Sequence, residues 1–329
     1  PPFKPGQYLT FGLDIAGQKK QVIRCYSLSD SPHHPDYYRC SIKAAPAPRD
    51  KPEAPPGLVS NHFHDNLHEG DIIDIKAPGG HFFMDTSKQS PVVLIGGGIG
   101  MTPMLSMLNQ IIESGSTRET WFFYGVRDSS EQIMKEYLEQ VARENENVHM
   151  CVCYSSAKET DVEGKDYQYG ERVSVELFKR LLPSNNYDFY MCGPPPMMNS
   201  VVPALEDWGV PEKNVHFEAF GPATVKKTKT KDNKEAVEAS SASAGVKITF
   251  AKSGMTLDWD PEIGSILDFA EENDIDGIDS GCRAGGCGTC IVAIKEGEID
   301  YLNEPGEDPE AGSCLACISV PKGNLSLDA

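Results

Sequence analysis

Four cysteines near the end of this 329-residue chain carry the clearest chemical signal. Cys282, Cys287 and Cys290 stand in a C-x4-C-x2-C spacing, and Cys317 follows 27 residues after Cys290. Four thiolates at such intervals can hold the two irons of a plant-type [2Fe–2S] cluster. Gly281, Gly285, Gly286 and Gly288 share the loop, where they allow the backbone to wrap tightly and aim N–H groups at sulfur. Zinc is the competing metal, because Cys287-x2-Cys290 alone would suit it, but x4 followed by x2 in a glycine-rich loop does not favour a zinc knuckle. A thioredoxin-like dithiol lacks its βαβ setting. Cys314 competes with Cys317 for the place of fourth ligand.

A second set of residues could hold a nucleotide. Gly96-Gly97-Gly98-Ile99-Gly100 follows Val92-Val93-Leu94-Ile95 and precedes Thr102 and Pro103. A glycine turn between strand and helix offers backbone N–H groups and the positive end of the helix dipole to a pyrophosphate. It departs from the G-x-G-x-x-G fingerprint, so a plain tight turn stays open at this point. Thr102 is expected as N-cap and Pro103 as the first helical residue. Glu131, shortly after Tyr124-Gly125-Val126-Arg127, could meet a ribose hydroxyl.

The elements that must position these groups follow from periodicity. Residues 1–88 are rich in Pro and Gly and alternate in short stretches at 7–11, 38–43 and 71–76, which predicts an antiparallel sheet or barrel. Residues 89–222 alternate strand-like runs (92–95, 120–124, 148–154, 188–192, 215–220) with helix-like ones (from 102, 130–143, 175–182, 197–208), the pattern of a parallel, doubly wound sheet. Residues 223–245 have almost no large apolar side chain and read as a flexible linker. Residues 246–329 form their own small β-plus-helix module: strands at 247–251 and 255–259, a helix at 266–273, the cysteine loop and a strand at 291–295. Cys151 and Cys153 alternate onto one strand face and read as buried apolar residues.

Composition narrows the function classes. The formal charge is −19. Residues 246–329 hold 17 acidic and 5 basic side chains, so no basic stripe for nucleic acid exists there, and the acidic surface can steer a partner protein with a basic patch. No apolar run reaches membrane-spanning length, no signal peptide is visible, and a disulfide framework is not expected in so long a chain, which points to the cytoplasm. The chain starts at Pro1, without Met, just before a strand-like segment, so upstream residues are expected to be missing or removed.

Taken in order, the motifs resemble the ferredoxin–NADP⁺ reductase superfamily. Arg24-Cys25-Tyr26-Ser27-Leu28-Ser29 looks like its R-x-Y-S flavin motif. The resemblance implies that Arg24 meets flavin phosphates, Tyr26 packs on the isoalloxazine and Ser27 lies near flavin N5. Gly57-Leu58-Val59-Ser60-Asn61 resembles the second flavin motif, which supplies N–H groups and a hydroxyl to the pyrophosphate. The run 96–102 resembles the pyridine-nucleotide loop, and Cys192-Gly193-Pro194-Pro195-Pro196-Met197-Met198 resembles C-G-P-x-x-M, whose cysteine approaches nicotinamide C4. Glu218-Ala219-Phe220-Gly221-Pro222 is similar to the flavohaemoglobin segment with a flavin-shielding aromatic and an acid near the hydride path. In plant-type ferredoxins the last ligand sits in a Leu-x-Cys stretch, which favours Cys317 in Leu315-Ala316-Cys317. The family's flavin barrel begins a strand or two before the segment matched by Pro5-Gly6-Gln7, so those strands are absent here. The implied fold is a flavin barrel, a Rossmann-like α/β domain and a β-grasp ferredoxin.

The implied cofactors are FAD, favoured over the FMN of phthalate dioxygenase reductase because the motifs look closer to flavohaemoglobin and hybrid-cluster-protein reductase, together with a [2Fe–2S] cluster and NADH. NADPH is less favoured, because residues 154–158 lack the Ser-Arg start of NADPH-using relatives, although Lys158 and Arg172 keep it open. The expected partner is an oxygenase or a hybrid-cluster protein. The reductase portion of a fused oxygen- or NO-consuming enzyme and a ferredoxin-like carrier without catalysis are the alternatives.

Overall fold

The computed structural model describes all residues except 19–20, 48–51, 221–244, 284, 303–304 and 306–308. The expected linker at 223–245 therefore lies almost wholly outside the described residues. The chain divides into two compact units, the first built from Pro1–Val22 and Tyr26–Phe220 and the second from the C-terminal portion together with Ile23–Cys25.

The first unit opens with a three-stranded sheet in the order β2-β1-β3, where β1 is Tyr8–Leu13, β2 is Val22–Ser27 and β3 is Asp74–Gly79. β1 pairs antiparallel with β3. The described strands thus form an antiparallel sheet rather than a closed barrel. The expected strand at 38–43 reduces to one bridge, Leu28 to Cys40, and the strand expected at 71–76 begins three residues later. Helix α1 (Leu58–Asp65), not read from periodicity, crosses beside this sheet and seats Val59 in its core with Leu9, Phe11 and Leu28.

The same unit contains a five-stranded parallel sheet, ordered β6-β5-β4-β7-β8. Its strands are β4 (Val92–Gly97), β5 (Thr120–Val126), β6 (Val148–Tyr154), β7 (Asp188–Gly193) and β8 (Val215–Ala219). Every residue of β4 is buried, as a central strand covered on both faces requires. Alternation sorts its side chains: Val92 and Leu94 pack with helices α2 (Met101–Glu113) and α3 (Lys135–Glu144), while Val93 and Ile95 pack with α4 (Val175–Leu181) and α5 (Pro195–Asp207). Cys151 and Cys153 fall in the second of these cores. The strand order places a topological switch point between β4 and β7, where ligands of open α/β sheets bind.

Two helix starts differ from expectation. A 3-10 turn at Gly98–Gly100 winds directly into α2, so the cap is Gly100 and Thr102 lies inside the helix, its hydroxyl donating back to the Ile99 carbonyl at 3.1 Å. Helix α3 begins at Lys135 rather than 130, because Ser130 is folded into a turn by the Asp128 carboxylate and Met134 takes a left-handed φ of 55°.

The second unit carries a mixed sheet, β10-β9-β15-β11-β13, and a two-stranded pair, β12-β14. Strands β9 (Lys247–Phe250) and β10 (Met255–Asp258) form a hairpin, and β15 (Leu325–Leu327) runs parallel to β9. Helix α6 (Ile266–Glu272) starts at a capping box between Ser265 and Asp268 and buries Ile266, Leu267 and Phe269 on the sheet, giving the expected β-grasp arrangement. Strand β11 (Ile291–Glu296) leads out of the cysteine loop and pairs with β13 (Ser313–Leu315). The short pair is β12 (Ile299–Tyr301) with β14 (Ser319–Pro321).

Candidate functional site

At the C-terminal edge of the parallel sheet three predicted groups fall in one row: Gly96 of β4 lies opposite Cys192 of β7, which lies opposite Glu218 of β8. The glycines beside them divide into two kinds. A Cβ on Gly100 would stand 2.4 Å from the Cys192 carbonyl oxygen, and one on Gly97 would stand 2.7 Å from Pro194 and 2.9 Å from the Met197 sulfur. These glycines let the α2 turn pack on the β7–α5 turn. Gly98 has a φ of +53° and nothing within 4 Å of the Cβ position, so it leaves an open cradle at the mouth of α2. A nucleotide phosphate fits there, against backbone N–H groups and the helix N-terminus.

Cys192 is fully buried, and burial raises its thiol well above the ordinary range, aided by the nearby Glu218 charge. Glu218 is half-buried as a residue, but its Oε2 is sealed from solvent with no hydrogen-bond partner among the described residues. Burial pushes its carboxyl up to about 8. Phe220, two residues on, ends the described stretch and is exposed.

The flavin-motif residues lie along β2 and α1. Ser27 is buried, and its Oγ has no hydrogen-bond partner among the described residues, as fits a hydroxyl that would meet a flavin polar atom. Tyr26 meets Phe11 and Phe63 edge-on, with centroids 5.8 and 5.4 Å away. Arg24 donates Nη1 to its neighbour's carbonyl, that of Ile23, at 2.7 Å. Leu28 is fully buried, and Ser29 Oγ bonds Ser41 Oγ at 3.0 Å. Gly57 caps α1, so the first-turn N–H groups of Leu58, Val59 and Ser60 face away from the helix ladder. The Ser60 hydroxyl, expected at the pyrophosphate, is committed to the Ala45 N–H (3.1 Å) and the Gly57 carbonyl (3.2 Å), where it fixes the helix start.

Beyond β5, Arg127 and Glu131 stand at the same sheet edge as the glycine turn, with the Glu131 N–H on the Asp128 carbonyl at 3.1 Å. Lys158 is engaged with Asp128 at 3.1 Å. Hydrogen bonds from Ser130 hold the Asp128 carboxyl low, at about 2, with Lys158 adding to them.

In the second unit the cysteine loop closes on itself. The Cys282 N–H donates to Cys287 Sγ at 3.2 Å and the Gly286 N–H to Cys282 Sγ at 3.3 Å. A Cβ on Gly281 would lie 2.6 Å from Cys287 Sγ, so glycine is required for the loop to pass its own sulfur. Cys317 hydrogen-bonds Cys290, which holds the Cys290 thiol low and raises its own. Cys314 points into the β11–β13 core opposite Val292 and burial pushes it up to about 11. Soft sulfur donors with N–H groups already aimed at two of them fit an iron–sulfur cluster. Arg283, next to Cys282, adopts a left-handed φ of 54° and donates to Asp268 of α6 at 2.8 Å and to Glu271. Sequence reasoning missed this tie; only the lone cation inside an acidic stretch hinted at it.

Family models match an oxidoreductase FAD-binding domain over residues 2–84, an oxidoreductase NAD-binding domain over 94–202 and a 2Fe-2S iron-sulfur cluster binding domain over 248–322. Flavohemoproteins of Halalkalibacterium halodurans and Bacillus anthracis are 38% and 41% identical over 221 residues, 67% of this chain in each case and 53% and 54% of those proteins. The chain spans about half the length of the curated relatives it matches. The FAD/NAD-binding domain of a nitric oxide dioxygenase from Vibrio cholerae O1 biovar El Tor is 32% identical, with 68% of this chain and 87% of that one covered and a TM-score of 0.58. Phthalate dioxygenase reductase, described as a modular structure for electron transfer from pyridine nucleotides to [2Fe-2S], is 26% identical with 100% and 89% covered and a TM-score of 0.57.

Proposed function

Because this chain belongs to the ferredoxin–NADP⁺ reductase family, with a [2Fe–2S] domain following its FAD- and NAD-binding domains, we propose that it takes hydride from NADH onto FAD and delivers single electrons through its cluster to a separate protein. One observation carries this reading: a nucleotide row at a sheet switch point and a four-thiol loop are encoded in one chain. Bound FAD would supply the conversion of a hydride into single electrons, and the cluster would supply a one-electron relay.

The chain's own residues position and insulate. The open cradle at Gly98 admits the phosphates. Neutral, buried Cys192 gives the nicotinamide a dry, apolar wall, and Glu218 holds its proton up to pH of about 8. Ser27 offers its unused hydroxyl beside the flavin ring. Cys282, Cys287, Cys290 and Cys317 hold the cluster. NADH is favoured over NADPH because Lys158, one of the two cations that could meet a 2′-phosphate, is committed to Asp128, which leaves Arg172 alone for that role.

The acceptor reading is an oxygenase, or a hybrid-cluster protein, that meets the acidic C-terminal module through basic residues. None of the ten cysteines forms a disulfide, and no described helix is long and apolar enough to cross a membrane. The flavohemoprotein likeness supports a second reading, the reductase portion of an oxygen- or NO-consuming enzyme. Anaerobic titration of the holoprotein with NADH tests the proposal. Flavin absorbance should bleach and a reduced-cluster EPR signal should grow. A cluster left oxidised after flavin reduction would refute the relay.

A further inference from the structure

Asp30 is a buried carboxylate, 5% exposed, that neither the nucleotide row nor the flavin motif uses. We propose that Asp30 is a positioning residue for hydride transfer, fixing the flavin-motif strand against the helix that carries the nucleotide turn. The inference rests on the function proposed above.

Asp30 lies three residues beyond Ser27 and joins two modules of one compact unit. Its main-chain carbonyl accepts the Ser106 hydroxyl of α2 at 2.6 Å. Its Oδ1 accepts Asn109 Nδ2 of the same helix at 2.9 Å, the Ser31 N–H at 2.9 Å and Arg39 Nη2 at 3.1 Å, while Oδ2 accepts the Tyr37 hydroxyl at 3.0 Å. Tyr137 of α3 donates to Asn109 Oδ1 at 2.7 Å, which orients the amide so that its NH₂ faces Asp30. Ser106 and Asn109 are 0% and 2% exposed. Burial works to raise the Asp30 carboxyl, and the donors from Ser31, Asn109, Tyr37 and Arg39 outweigh it and hold it below its ordinary value.

Apolar contact alone would let the strand slide on α2. A buried carboxylate must keep all its donors or leave a charge unsatisfied, so the network admits one placement. Ser106 and Asn109 follow the Gly98–Gly100 turn within about two and a half helical turns. The network therefore spans from near Ser27 to near the phosphate cradle, the two points that set donor–acceptor distance. A misplacement on the order of 1 Å costs about 100-fold in such a step. Asp30, His34 and Glu113 also bring potential ligand atoms within 4.8 Å of one another, but the Arg39 cation already sits on Asp30, so the cluster reads as a polar clamp rather than a cation site.

Rapid mixing of the FAD- and cluster-loaded protein with NADH, without oxygen, tests the clamp in Asp30→Asn, in the swap Asp30→Asn with Asn109→Asp, and in Tyr137→Phe. Asp30→Asn should lower the limiting rate of flavin reduction by at least about 10-fold, with half-saturation by NADH changed less than about twofold and FAD content unchanged. The swap restores the donor–acceptor pair between the loop after β2 and α2 and should recover part of the rate. Tyr137→Phe, the milder variant if Asp30→Asn fails to retain FAD, should cost about threefold. Limiting rates within about twofold of wild type in these variants, alongside a lowered melting temperature, would reduce Asp30 to a structural role and overturn the inference. Wild-type protein whose flavin NADH does not reduce would sink the parent reading as well, whereas normal wild-type reduction with normal variant rates sinks this one alone.

Discussion

In the parallel sheet, every residue of β4 is buried and the row Gly96, Cys192, Glu218 rides on three strands held in register. In the C-terminal unit, Cys282, Cys287 and Cys290 ride on a loop that needs positive φ at Arg283, Gly285 and Gly288. The nucleotide row is placed by packing before any ligand arrives. Among the described residues, N–H contacts from Cys282 and Gly286, a Cys317–Cys290 bond and the Arg283 tie help to bring the thiols together. The nucleotide row should therefore tolerate loss of its ligand and fail on loss of core, while the cysteine loop should fail on loss of ligation.

The largest effect expected on that contrast comes from Cys290→Ser. It should abolish the reduced-cluster EPR signal while NADH still bleaches the flavin within about twofold of the wild-type rate; flavin reduction lost together with the signal would erase the distinction. Next, Phe123→Ala opens a cavity in a fully buried layer between Ile95 and Phe178. A loss of about 3–5 kcal/mol by urea unfolding is expected, with cluster absorbance retained until the first unit has unfolded. Third, Gly98→Ala puts a methyl into the open cradle at a φ that disfavours it. NADH affinity by flavin-bleaching titration should fall about tenfold, and unchanged affinity would move the phosphates elsewhere.

Glu218→Gln is a pH experiment. Burial raises this carboxyl in the folded state to about 8, whereas an unfolded Glu ionises near about 4.3. Folding therefore favours the neutral acid, and its contribution is lost as pH rises through that window. In cofactor-free protein, the stability gained by Gln should widen from pH 5 to pH 8 and then level off. A gap that stays constant with pH would deny that the acid is held neutral. The smallest effect belongs to Arg283→Ala. Its ion pairs are partly exposed, so thermal unfolding should lose about 1 kcal/mol or less, and less again in high salt.

The strongest elements were legible because their patterns had one physical reading. The run Val92-Val93-Leu94-Ile95 with its glycines could only be a covered strand and turn, and β6 matches the 148–154 alternation residue for residue. Boundaries failed where side chains rebuilt the local backbone: Asp128 captured Ser130 and delayed α3, and the 3-10 turn made Thr102 an interior residue. Segment 38–43 has strand-like alternation, yet its partner contact is a single bridge, because Arg39 and Ser41 are drawn to Asp30 and Ser29. Spacing pointed to Cys282, Cys287 and Cys290 as candidate ligands, whereas the preference for Cys317 over Cys314 came from the resemblance of Leu315-Ala316-Cys317 to the family's Leu-x-Cys stretch. Asp30 was not legible, since an Asp between serines in a motif tail gives no sign that Ser106, Asn109 and Tyr37 will converge on it.

Electrons entering at the nucleotide row are expected to leave through the four-thiol loop. Anaerobic stopped-flow with NADH, following flavin absorbance and freeze-quenched EPR on the same holoprotein, tests it most directly. Flavin reduction should come first and cluster reduction after it, with the second phase absent in Cys290→Ser. A cluster that reduces at the same rate when the flavin has been removed, or never reduces at all, would contradict it.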